Sequence, residues 1–201
     1  MPNSQIKSHS FPEVYKGLGI NLSTLGCVML DLSPLEIPKN MIDGFTRFPV
    51  FEQALYYAKD KTRFWIDGWV ADKTPHITLL YGLIETAKNY EWHIEQVLKG
   101  WKMKTVKIQD IGYFDSPYPD EPYWCIVAHI ETTPELIEGH QRLELLPHIN
   151  TFAGYKPHMT IAYIDKNQGE AYRDRLIDGF KTAWVGKEMD IKDTINLGGN
   201  K

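Results

Sequence analysis

Apolar residues recur along the chain in short runs that switch between a two-residue and a helical period, and the switches mark out its elements. The run LGCVMLDL (25–32) predicts a strand ending at Pro34. FPVFEQALYYAK (48–59) has helical spacing, and FWIDGWV (64–70) and PHITLLY (75–81) then read as two strands separated by the polar turn ADKT. From 87 to 99 the period is helical again, with Tyr90, Ile94, Val97 and Leu98 on one face. Strand-like runs at 105–114 and 122–131 flank DSPYPDE, a cluster of turn formers. Thr133 and Pro134 offer an N-cap and a first-turn proline to a helix reaching about Leu146. After the loop HINTFAGYK come a strand at PHMTIAY (157–163), a helix over 170–181 and the late run WVGKEMDIKDTINL.

A helix followed by a Pro-His-x-Thr strand therefore occurs twice. PHITLLY and PHMTIAY match at Pro, His, Thr and Tyr, which points to an internal duplication of α+β units; solenoid repeats would be shorter and more numerous. Strand alternation puts His76 and Thr78 on one face and Ile77 and Leu79 on the other, and does the same for His158 and Thr160 against Met159 and Ile161. It also turns Tyr81 and Tyr163 away from the histidines, and leaves Leu80 and Ala162 in corresponding positions on the histidine face. Pro75 and Pro157 suit the first position of a strand, where a missing N–H matters least.

A lone His-x-Thr is ordinarily a polar residue entering a buried strand, since seven histidines make one such triplet unremarkable by composition. Two copies in a repeated order call for chemistry instead. Cleaving a phosphodiester needs a base for the attacking oxygen and an acid for the departing one, and imidazole titrates near enough to neutrality to serve as either. Charge gathering on the phosphoryl oxygens needs donors, which Thr78 and Thr160 supply as fixed hydroxyls. A metal centre would want three or four ligands at recognisable spacing. Asp67 and Asp72 precede His76, but no matching carboxylate precedes His158, so neither metal nor cofactor is expected.

The formal charge of −4 argues against tight binding to long nucleic acid and favours a nucleotide or short oligonucleotide as substrate. A polar start, MPNSQIKSHS, and the lack of any membrane-length apolar run predict a cytoplasmic protein with no membrane partner. Cys27 and Cys125 lie in apolar runs and read as buried free thiols. Tyr113, Tyr118, Tyr123 and Trp124 surround DSPYPDEPYW and are candidates for stacking on a base, although the same residues would equally cover a small lobe. Lys156 offers positive charge beside the second motif, where the first has Thr74. His9, His93, His129, His140 and His148 fall in the tail, helices, a strand and a loop, and are expected to be structural.

The paired His76-Ile77-Thr78 and His158-Met159-Thr160 resemble the 2H phosphoesterases, which include the RNA ligase-like and cyclic phosphodiesterase proteins. The resemblance implies an α+β, bilobal pseudosymmetric fold with two antiparallel sheets facing a central groove and helices outside. Over this chain that means one domain at 13–197, with a first lobe at about 20–86, a second at about 104–165, the remainder shared, and loose termini at 1–12 and 198–201. It further implies a metal-independent phosphodiesterase acting on a cyclic nucleotide, a cyclic oligonucleotide, a 2′,3′-cyclic phosphate or short RNA. His76 and His158 would be base and acid in an order the motif does not fix, with Thr78 and Thr160 binding phosphate. Some phage-encoded members degrade the cyclic oligonucleotide signals of bacterial defence, and this chain is similar to them in size, which would place it in the host cytoplasm. The alternative is a non-catalytic binder of RNA or nucleotides.

Overall fold

The computed structural model describes residues 25–35, 75–116, 122–150, 154–166 and 169–198. The helix expected at 48–59, the strand at 64–70, Tyr118 and the terminus at 1–12 lie outside the described residues.

Strand β1 (Gly26–Leu32) alternates without a break, turning Val28, Leu30 and Leu32 to the core and Cys27, Met29 and Asp31 to the other face. β2 (His76–Leu83) follows, then a 3₁₀ turn (Ala87–Tyr90) in which Thr86 Oγ1 accepts from Asn89 N–H, running directly into α1 (Glu91–Val97). Ile94 and Leu98 are the buried members of the expected apolar face; Tyr90 and Val97 are half-buried. β3 (Thr105–Asp115) and β4 (Tyr123–Ile130) precede α2 (Pro134–Leu143), whose N-cap is formed as the sequence predicts, with Thr133 Oγ1 accepting from Leu136 N–H at 3.3 Å. β5 (His158–Asp165), α3 (Glu170–Trp184) and β6 (Glu188–Gly198) complete the order.

Every strand pairing is antiparallel, and the order is β2-β1-β6-β3-β4-β5. β6 joins the halves: its first residues, Glu188 to Asp190, pair with β3, and the stretch from Ile191 to Gly198 pairs with β1. The expected α+β class and antiparallel pairing are present, and among the described residues the ladders run as one six-stranded order through β6. The His-x-Thr strands occupy its two ends. They also come into contact with each other, so the order curls until its ends meet.

Both motif strands carry an extra residue directly after the threonine, and β2 carries a second at Gly82. Val28 opposes Leu80 while the next residue, Met29, opposes Thr78, which bulges Leu79; Ile126 opposes Ala162 while Val127 opposes Thr160, which bulges Ile161. The bulge corrects the alternation predicted from sequence. Leu80 is buried on the core side, and Tyr81, opposite Cys27, shares the face of Thr78. Strict alternation had placed both the other way.

On the core side α3 packs on β3 and α2 on β2. Phe180 and Trp184 are fully buried there with ring centroids 4.6 Å apart. Truncating so large a buried ring removes its transfer energy and leaves a cavity. Phe180→Ala should lower stability by about 3–5 kcal/mol in urea unfolding, and a loss below about 1 kcal/mol would show that the ring is not part of the core.

Candidate active site

The ladder that ends each half of the sheet sets the position of its histidine. In β2, His76 lies directly opposite Asp31 and Thr78 opposite Met29; in β5, His158 lies opposite His129 and Thr160 opposite Val127. Both strand starts are closed in the same way. Leu32 N–H donates to Pro75 O at 2.6 Å and Ile130 N–H to Pro157 O at 3.0 Å, so each proline, lacking its own donor, joins the sheet through its carbonyl.

His158 is oriented by its backbone neighbour. Its Nδ1–H donates to Lys156 O at 2.8 Å, which fixes the ring and commits Nδ1 to the backbone. The Phe114 ring meets His158 edge-on at 5.0 Å and His129 at 5.8 Å, forming an apolar wall beside both. Burial pushes the His158 pKa below the usual imidazole value, and the charge of His76 pushes it the same way against the opposing pull of the Lys156 carbonyl. The two motif histidines, from opposite ends of the strand order, are thus close enough to feel one another. His129 is also lowered, by burial first, then by His158, with Lys156 and Lys181 adding to the effect and Asp110 opposing it. A side chain at Gly112 would meet His129 Nε2 at 2.7 Å, so the glycine leaves the imidazole its room.

A second group of side chains holds β2 at its bulge. Tyr155 Oη donates to Thr78 O at 3.1 Å, and His140 of α2 donates from Nδ1 to Leu79 O at 2.6 Å. The two rings stack at 4.0 Å, 7° from parallel, and His140 Nε2 lies 3.4 Å from a Glu144 carboxylate oxygen. Burial drives the Tyr155 phenol well above its ordinary pKa, which keeps it a donor. Further along, Ile149 N–H donates to Gly82 O at 2.8 Å. Gly82 has φ 106°, and a Cβ there would fall 2.2 Å from Ile149 O.

The contact of β2 with β5 therefore brings together the strands that carry His76 and Thr78 and His158 and Thr160, with Lys156 just ahead of β5. Thr160 Oγ1 has Cys125 Sγ 3.8 Å away. Tyr113 and Trp124 project from the opposite face, where the buried Arg173 guanidinium covers their rings at 4.3 and 4.6 Å, and Tyr123 is buried. Phe114, Tyr155 and Asp31 were not singled out by sequence reasoning, and His129 and His140 were expected to be structural. One signal was available: aligning CVMLD (27–31) with CIVAH (125–129) on their cysteines matches Asp31 to His129.

A family model described as the 2′-5′ RNA ligase superfamily matches residues 51–193, a span containing both His-x-Thr strands. The chain belongs to the 2′-5′ RNA ligase superfamily. As a member of this superfamily it is an enzyme of the 2H phosphoesterase type, a phosphodiesterase for a nucleotide or RNA substrate. In fold it is similar to two solved structures of Usb1 from Kluyveromyces marxianus, one with uridine monophosphate. Each is 12% identical, covers 90% of this chain and 100% of that chain, and superposes with a TM-score of 0.48. No curated protein sequence matches the chain at a significant level. Among the described residues no helix is long and apolar enough to cross a membrane.

The lowered histidines give this superfamily member a stability signature. Below about pH 6.5 the unfolded chain binds protons that native His129 and His158 still refuse, so stability falls with pH until their native pKa values are passed, then levels. His129→Gln should shrink the drop in urea midpoint between neutral pH and pH about 5. An unchanged drop would mean that His129 is not held neutral by the fold.

Proposed function

We propose that the protein is a metal-independent nucleotide phosphodiesterase in which His76 and His158 share the acid and base roles while Thr78 and Thr160 hold the phosphoryl oxygens. The observation that carries this reading is the contact between β2 and β5, the two ends of the strand order, each of which bears a histidine with a threonine two residues on along the strand. Residues 20–86 and 104–165 then act as two lobes of one domain, with the substrate in the groove between β2 and β5. In the reaction one imidazole takes a proton from the attacking water or ribose hydroxyl, the phosphorus–oxygen bond to the leaving group breaks, and the other imidazole protonates the departing oxygen. Hydroxyl donors at Thr78 and Thr160 stabilise the charge that collects on the remaining oxygens. Lys156, whose charge already reaches His129, adds a cation at the β5 end.

The acidic chain favours a small substrate: a 2′,3′-cyclic phosphate, a cyclic mono- or oligonucleotide, or short RNA. A phage-encoded enzyme that removes cyclic oligonucleotide signals is the specialised form of the same reading. Product analysis by mass spectrometry over such a panel tests it. The active substrate should show a bell-shaped pH–rate profile and a rate insensitive to chelator. His76→Ala and His158→Ala should each lower kcat/KM by about 10²–10⁴-fold, and Thr78→Val or Thr160→Val by about 10²-fold. Retention of full activity by both histidine variants would sink the mechanism; binding without any product would leave a nucleotide-binding protein in its place.

A further inference from the structure

The two motif strands are alike in sequence, but their cross-strand neighbours are not. His76 faces a carboxylate, Asp31 of β1, whereas His158 faces another imidazole, His129 of β4. We propose that this difference fixes which histidine does what: His158 is the general base and His76 the general acid, with Asp31 and His129 as the positioning residues that set their protonation. The assignment rests on the phosphodiesterase reading above.

Side chains directly opposite in an antiparallel pair have Cβ atoms about 4.5–5.5 Å apart, within the range at which an opposite charge favours the ionised form of its neighbour. On this proposal Asp31 favours the charged form of His76, the condition of an acid. The groups about His158 act the other way. His129 shares its face, His76 approaches from β2, and the Lys156 backbone orients it through Nδ1. Around His129 itself Lys156 and Lys181 are cations, and the carboxylate among them, Asp110, is engaged by Lys181 at 3.1 Å. Phe114 stands edge-on to both imidazoles as an apolar neighbour. Neutral His158 is the condition of a base, and its lowered pKa agrees with that.

The step then balances in one direction. His158 Nε2 takes the proton of the attacking hydroxyl or water as its oxygen bonds to phosphorus, the bond from phosphorus to the leaving oxygen breaks, and the proton of His76 passes to that oxygen. The turnover ends with His158 charged and His76 neutral, and exchange with solvent restores both. The attacking oxygen consequently lies on the β5 side of the groove and the leaving oxygen on the β2 side.

A leaving group that departs without a proton separates the roles. On an ordinary dinucleotide, His76→Ala and His158→Ala should both be slowed by about 10²-fold or more. On the p-nitrophenyl ester of the same nucleotide, His76→Ala should recover to within about tenfold of wild type, because no acid is needed, while His158→Ala stays slow. Recovery by His158→Ala instead would overturn the assignment. In the pH–rate profile Asp31→Asn should move the basic limb to lower pH, and His129→Asp, which gives His158 the neighbour that His76 has, should move the acidic limb to higher pH; limbs unmoved by both would remove Asp31 and His129 from the proposal. Imidazole nitrogen NMR of the full chain reads the same point without turnover: His76 should keep its proton to higher pH than His158, and the reverse order refutes the proposal. A wild-type protein inactive on both esters would refute the phosphodiesterase reading itself, with the NMR order still deciding how the two histidines are charged.

Discussion

The site depends on one closure: the two ends of a six-stranded order must meet, and the hydrogen bond from Tyr155 Oη to Thr78 O helps to hold them together. Tyr155 stands just ahead of His158 in the chain, and Thr78 follows His76, so a single contact ties one motif to the other. His140 reinforces it by stacking on the phenol and donating to the next carbonyl, that of the bulged Leu79. Those carbonyls belong to β2, which ends the strand order among the described residues. Donors from side chains reach them, and the Pro147–Ile149 segment adds backbone bonds at Gly82 and Ile84. The position of His76 relative to His158 is therefore set by polar contacts of fixed direction as well as by apolar packing.

Local rules carried the sequence reading as far as they could. β1 alternates cleanly, Thr133 caps the helix it was expected to cap, and Ile94 and Leu98 bury as their spacing requires. The motif residues His76, Thr78, His158 and Thr160 were legible because duplication repeats them. What was not legible lies across ladders. Asp31 and His129 matter through register, which no single strand reveals, and Phe114 reaches His158 across an intervening strand. Tyr81 was misplaced for a related reason: a period-two argument assumes an unbroken ladder, and the residue inserted at Leu79 reverses the faces of Leu80 and Tyr81.

The paired bulges have a structural use. By inserting a residue after the threonine in each copy, they turn Leu80 into the core while keeping the segment before them, His-x-Thr, on the groove face. A bulge also increases local twist and bends its strand. Bending both end strands at the same point is what a sheet needs if its ends are to approach. The bulged carbonyl at Leu79 is then displaced from regular pairing, and His140 accounts for its hydrogen bond.

Duplication alone would leave an acid–base pair with a difficulty. Two imidazoles in equal surroundings titrate together, so the form with one particular ring protonated and the other neutral stays a minority at every pH, and half of the singly protonated molecules carry the proton on the wrong ring. Mutual repulsion widens the range over which a single proton is shared but does not choose between the rings. Choice requires an unlike neighbour. The aligned segments CVMLD and CIVAH differ at that one ladder position in charge, aspartate against histidine, while the cysteine at their start is unchanged. On the assignment proposed above, a single divergence beside each motif orders the two protonation states, and with them the direction in which a phosphodiester lies in the groove.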